Sequence, residues 1–225
     1  MRETYQDELD RISTQLVDMT NLVGSAMSRA TTALLDADVD LAEKVITGDA
    51  VVDELKATVD DHCFEILARQ QPVATDLRIV VTALAMNADL ERMGDLAAHI
   101  AKVARMRFPE HAIPQEIRST ILEMGQIAQR IVAKAGSVIA GRDVERAAEL
   151  EADDDVMDAN HRELFRVLLS DDWPYGIETA IDVTLLGRYY ERFADHAVSV
   201  ARRVVYIVTG AMPERAAPPA ASAST

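Results

Sequence analysis

Apolar side chains recur along this chain at spacings of three and four, the period of a helix with one buried face. Leu9, Ile12, Leu16, Met19, Val23, Met27, Ala30 and Leu34 mark a first helix. Leu41, Val45, Val52, Leu55, Val59, Cys63 and Ile66 mark a second. Gln70-Gln71-Pro72-Val73-Ala74-Thr75 then interrupts the pattern, because Pro72 biases Gln71 away from helical geometry. Thr75 is the expected cap of a third helix, with Asp76 in its first turn and Ala83, Met86, Leu90, Met93, Ala97, Ile100 and Ala104 on its apolar face. Phe108 to Pro114 is a linker, with Pro114 suited to the first position of the helix that follows. Ile117, Ile121, Met124, Ala128, Ile131, Ala135 and Val138 carry a fourth helix, and a fifth is predicted from about Val144 to Leu169. After a break at Asp171 to Gly176, Val183, Leu186, Tyr190, Phe193, Ala197, Val200, Val204 and Ile207 define a sixth.

The pattern repeats itself. The sixth helix's stripe is the third's, shifted by 100 positions, and Glu91-Arg92-Met93-Gly94-Asp95 returns as Glu191-Arg192-Phe193-Ala194-Asp195. Between the second and fifth helices the offset is 105, so that Asp49/Asp53 answer Asp154/Asp158. The difference of five falls at the turn, where insertions belong. The expected architecture is all-α: a three-helix repeat over 1–107, a linker over 108–113, a second repeat over 114–210 and a disordered tail over 211–225.

Composition narrows the function. The chain has 38 acidic against 23 basic residues, a net charge of −15, which argues against nucleic acid as a partner. Cys63 is the single cysteine, so no intramolecular disulfide forms; at an apolar helical position it reads as a buried, inert thiol in a reducing compartment. The N-terminal residues are too acidic for a signal peptide, and the longest apolar stretch, Ile79 to Met86, is far short of the ~20 residues that span a bilayer. A cytoplasmic protein without direct membrane insertion is expected.

The candidate chemistry lies in four Asp/Glu-x-x-x-Asp pairs. Positions i and i+4 are neighbours on a helix, so each pair sets two carboxylates side by side. Two pairs from adjacent helices would make an all-oxygen site for magnesium, manganese, calcium or iron. Asp49/Asp53 are expected to oppose Glu91/Asp95, and Asp154/Asp158 to oppose Glu191/Asp195. Asn87, one turn before Glu91, offers a further oxygen; His99 and His161 lie within a turn of these acids, where each would join a site or, as the better reading, be an ordinary surface histidine. The other reading is a set of exposed acids paired with Arg92, Arg188 and Arg192. Arg78 sits near a helix start, where it would bind an anion or join a salt bridge. No glycine-rich phosphate loop and no nucleophile–base signature is present.

Gly48-Asp49-x-x-x-Asp53, Gln70 to Arg78, Leu90-Glu91-Arg92-Met93-Gly94-Asp95 and Tyr190-Glu191-Arg192-Phe193-Ala194-Asp195-His196-Ala197, in that order, resemble the PhoU family of phosphate-transport regulators. The resemblance covers nearly the whole chain apart from its tail. It implies a duplicated three-helix bundle, cytoplasmic and not an enzyme, that dampens phosphate uptake and the phosphate-starvation response. The implied partners are the sensor histidine kinase of a two-component system and the ATPase of the phosphate ABC transporter, with a homodimer possible. It also implies a divalent or multinuclear metal (iron, manganese or magnesium) held by Asp49, Asp53, Glu91, Asp95, Asp154, Asp158, Glu191 and Asp195, and it leaves Arg78, Arg92 and Arg192 for partner contact. Two departures stand out: Ala194 replaces a glycine, and the second repeat lacks the Asp-Leu-Arg turn. The competing class is a carboxylate-bridged di-metal oxidase or metal-storage bundle. Its usual Glu-x-x-His element occurs nowhere in the chain.

Overall fold

In the computed structural model, which describes residues 2–211, every expected helix forms: α1 (Arg2–Asp36), α2 (Val39–Gln70), α3 (Ala74–Arg107), α4 (Arg118–Gly141), α5 (Val144–Leu168) and α6 (Gly176–Thr209). No strand occurs among the described residues. Apart from Ala211, the expected tail lies outside them. The stripes of α1, α3, α4 and α6 named above are buried without exception, and Cys63 is fully enclosed, its thiol pushed up to about 12 by burial and by Asp60. Asp38 and Asp143 cap α2 and α5, each carboxylate accepting a backbone N–H from the first turn.

Two local expectations are corrected. Helix α3 starts at Ala74, one residue before Thr75, so the Thr75 hydroxyl lies inside the first turn and accepts a hydrogen bond from Arg78 instead of capping. Pro114 precedes a short 3₁₀ turn (Gln115–Ile117), and α4 begins only at Arg118. The Arg118 side chain reaches back to the Leu35 carbonyl near the end of α1.

Helices α1–α3 pack on one another, as do α4–α6, and the two sets join through α1 against α4 and α3 against α6. Both joining pairs run antiparallel. In the first, Gly136 faces Thr20, Val132 faces Gly24 and Gly125 faces Thr31. In the second, Arg107 at the end of α3 pairs with Asp182 and Glu178 at the start of α6. The apolar core is consequently continuous through all six helices. Contacts run α2–α3–α6–α5 in a row, backed by α1 and α4. Helix α3 touches α1, α2 and α6, which explains why Val80 and Ala98, off its main stripe, are also buried.

Buried and half-buried polar groups tie the helices together. Asp89 of α3 lies 3.0 Å from His196 Nδ1 and accepts from Ser199 (3.0 Å) and Arg203 (2.9 Å), all on α6. Burial alone would raise the Asp89 carboxyl, but these bonds outweigh it and hold it below the usual range. Tyr190 and Thr31 share a 2.8 Å hydrogen bond in the core, linking α6 to α1. Asp153 ties α5 to α4 through Arg130 (3.0 Å) and Lys134 (2.8 Å).

The α1–α4 approach depends on having no Cβ at two positions. A Cβ on Gly125 would stand 2.6 Å from Thr31 Cγ2, and one on Gly136 would stand 2.5 Å from Thr20 Oγ1. Both threonines are β-branched and stiff. Gly125→Ala or Gly136→Ala is therefore expected to cost a net ~1–2 kcal/mol, because overpacking outweighs the gain in helix propensity. That corresponds to roughly 2–8 °C in melting temperature. Gly48→Ala, whose Cβ meets nothing within 4 Å, should instead stabilise the protein. Thermal melts of the three variants check this, and a stabilised Gly125→Ala would contradict it.

Candidate metal centres

Each acid pair projects from the row α2–α3–α6–α5. Asp49 and Asp53 lie one turn apart on α2, facing Glu91 and Asp95 on α3; Asp154 and Asp158 on α5 stand in the same relation to Glu191 and Asp195 on α6. The approach is closest at Gly94. Asp49 Oδ1 lies 3.0 Å from where a Cβ on Gly94 would be, with Val52 Cγ1 at 3.3 Å, so the bare backbone lets the carboxylate close onto α3. In the second repeat that place is taken by Ala194, which is fully buried.

Mutual repulsion is written into the acidities. Burial first, then Asp95 and Asp53, push the Asp49 carboxyl up to about 6. Burial first, then Asp195, Asp158 and Glu191, push Asp154 up to about 7. Glu91 and Glu191 are raised for the same reasons, burial ahead of Asp95 and Asp195 respectively. These effects place the four carboxylates of each set in one another's field, as the spacing predicts. Asp154 Oδ1 is buried and has no hydrogen-bond partner. An orphaned carboxylate oxygen among three other acids is the setting that an oxygen-seeking cation relieves, so the residues fit a hard divalent ion. Such an ion would be held by the four acids of each set and would supply positive charge where they repel.

Neither set is a closed coordination shell. Among the described residues no three Asp, Glu, His or Cys side chains converge as one. Arginines hold two of the acids aside: Arg92 Nη1 donates to Asp95 at 2.8 Å, and Arg188 Nη1 to Glu191 at 2.5 Å. Asn87 departs from its expected role as an extra oxygen. It is fully buried, and its amide nitrogen donates at 2.8 Å to both the Lys56 carbonyl and Asp60, tying α3 to α2; its Oδ1 has no partner. The matching place in α6 is Gly187, against which the His161 ring packs with Cδ2 3.0 Å from the position of an added Cβ. Burial and Arg188 keep that imidazole below its ordinary value, and its Nε2 is buried and unpartnered. His99 stacks on Tyr189 of α6, centroids 5.3 Å apart.

Of the three candidate partner arginines, Arg92 and Arg192 line one cleft between α3 and α6. Arg78 lies elsewhere: its guanidinium packs against Gly210 just past the end of α6 and donates to Thr75, and among the described residues it forms no salt bridge. Sequence reasoning passed over Asp89 and its α6 partners, because the equivalent position in the second repeat is Tyr189 and no repeated motif drew attention there.

Comparison with known proteins agrees with the duplicated six-helix fold. The family model of the PhoU domain matches the chain twice, over residues 16–104 and 121–204. Phosphate-specific transport system accessory protein PhoU homolog 2 of Mycobacterium tuberculosis is 49% identical over 213 residues, covering 95% of this chain and 100% of that protein. The crystal structure of PhoU from Pseudomonas aeruginosa superposes with a TM-score of 0.84 at 31% identity, covering 92% of this chain and 100% of that one. The phosphate transport system regulatory protein PhoU of Streptococcus pneumoniae gives 0.83 at 25% identity, with coverages of 94% and 100%.

The raised acidities carry a stability consequence. The folded chain keeps protons on Asp49 and Asp154 that the unfolded chain releases near the ordinary value of 3.8. The folded state thus binds more protons between those values, and this contribution to stability falls as pH rises through the window up to about 7. Asp154→Asn should match wild type at about pH 4 and exceed it at about pH 8 in chelator-treated buffer. Discounted for partial exposure, the gain is on the order of 1 kcal/mol, or roughly 2–4 °C. Melting curves across that range test it, and a variant less stable than wild type at the upper end would refute the raised acidity.

Proposed function

The chain belongs to the PhoU family, and on that premise we propose that it regulates phosphate uptake by binding partners, not by turnover. It dampens uptake and the phosphate-starvation response by docking on the sensor histidine kinase of a two-component system and on the ATPase of the phosphate ABC transporter. The two carboxylate sets bind iron, manganese or magnesium, and the cation assists docking. The observation that carries the reading is the recurrence of a four-carboxylate set on the same face of both repeats, one with an orphaned buried oxygen at Asp154. Relatives whose names make them accessory or regulatory proteins of phosphate transport support it.

Physical chemistry favours protein contacts over lipid contacts. No helix among the described residues is long and apolar enough to cross a membrane. A net charge of −15 is repelled by anionic headgroups, so a cytoplasmic place beside the membrane follows from protein partners. Cations on the acid sets reverse the local field, which changes which partner surface is attracted.

Deletion of the gene, followed by complementation, tests this. The deletion should switch on phosphate-starvation genes in phosphate-rich medium. Wild type should restore repression, whereas Glu91→Gln/Glu191→Gln should restore it poorly. Normal regulation in the deletion strain, with no second copy present, would defeat the reading.

A further inference from the structure

A cleft of about 440 Å³ opens between α3 and α6, between the two acid sets. Arg92, Arg188 and Arg192 all line it, with Asp95 as its one acidic wall residue. Three guanidinium groups around one concavity are out of keeping with a chain whose acids outnumber its bases 38 to 23. The cleft is also built on fixed walls. His196 is held by Asp89, and His99 stacks on Tyr189 from the opposite helix.

The arginines are only lightly committed. Among the described residues Arg192 has no ion pair or side-chain hydrogen bond. The side chains of Arg92 and Arg188 are 64% and 52% exposed, and ion pairs so open to water contribute little. Their partners Asp95 and Glu191 belong to the acid sets on either side. A cation that draws those two carboxylates towards itself frees both guanidinium groups to face the cleft. It also neutralises the acids whose field would otherwise repel an anion there.

We propose that the α3–α6 cleft is a binding site for a phosphate-class oxyanion, gripped by Arg92, Arg188 and Arg192 once cations occupy the flanking acid sets. Guanidinium forks match a tetrahedral oxyanion in two-point contacts, and three of them suit a doubly charged anion better than a monocarboxylate. The cleft has room for the anion with bridging waters. The site makes cation and anion binding cooperative: each raises affinity for the other by the same factor. The inference rests on reading the acid sets as cation sites.

Calorimetric titration of the full chain tests it in separable steps. Mg²⁺, and separately Mn²⁺, is titrated first without phosphate; inorganic phosphate, ATP and acetate are then titrated with and without saturating Mg²⁺. Phosphate affinity should rise about ten-fold or more with Mg²⁺, and Arg192→Gln should weaken it by a similar factor while leaving Mg²⁺ binding intact. Arg105→Gln, which pairs with Glu43 elsewhere, should change nothing. Affinity for ATP in place of free phosphate, with the same dependence on Arg192, assigns the site to the phosphoryl tail of a nucleotide. If Mg²⁺ or Mn²⁺ binds but neither phosphate nor ATP does, or if acetate binds equally well, the oxyanion site is wrong and the cation reading stands. If phosphate binding ignores Mg²⁺ or survives Arg192→Gln unchanged, the coupled site is equally overturned. If neither ion binds, both readings fall.

Discussion

Two antiparallel helix pairs, α1 with α4 and α3 with α6, hold the repeats together, and everything on the functional face follows from them. The first is an apolar contact that depends on close approach, with Gly125 and Gly136 leaving room for Thr31 and Thr20. The second is polar, with Asp89 receiving three α6 side chains and Arg107 gripping the start of α6. A half-buried carboxylate left unpaired would be costly; one satisfied by three partners instead fixes the angle and register of the two helices. That register sets Arg92 across from Arg188 and Arg192. A slip of one turn along α6 would break the Asp89 bonds and dismantle the cleft together.

The acid sets are a cost that the rest of the fold carries. Half-burying Asp49 and Asp154, and holding each in the field of three other carboxylates, raises both, which means that the folded state is less stable at neutral pH than the same fold with neutral side chains there. A fold of six long helices with one continuous core tolerates this because the acids are at most half-buried and lie off the apolar stripes. The cost is also the source of any affinity for cations, since the energy released on neutralisation is the repulsion already stored. Arg92 and Arg188 relieve part of it in the meantime by pairing with Asp95 and Glu191.

Much of this was legible in the sequence for a simple reason: helical periodicity is local, and a duplication writes it twice. The stripes of α3 and α6, read at spacings of three and four, are buried at every named position. The pairing of Asp49/Asp53 with Glu91/Asp95 was legible because i, i+4 neighbours on adjacent antiparallel helices have few ways to meet. What escaped was non-local or non-repeated. Asp89 gains its meaning from residues more than 100 positions away, and its repeat equivalent, Tyr189, shares none of its chemistry. Thr75 looked like a cap by composition, yet the helix begins a residue earlier, a shift too small for propensity to resolve. Asn87 looked like a spare oxygen, but burial commits its amide nitrogen to Lys56 and Asp60.

The departures between the repeats make the two acid sets chemically unequal. In the first, Asn87 and Lys56 stand beside Glu91: the amide is spent on the α2 backbone, and the ammonium is a fixed positive charge paired with Asp60 at 3.0 Å. In the second, the corresponding positions hold Gly187 and His161, so the amide is lost and an uncharged ring fills its space. A lysine near four carboxylates offsets some of their repulsion and competes with a cation, whereas a neutral imidazole does neither. Asp154 is raised further than Asp49, burial being the first cause for both; Lys102 offsets part of the effect at Asp49, and no cation does so at Asp154. The second set is therefore the more frustrated of the two. Duplication supplied the symmetry of the fold, and substitutions beside the acids, Asn87 against Gly187 and Lys56 against His161 among them, give its halves different electrostatics.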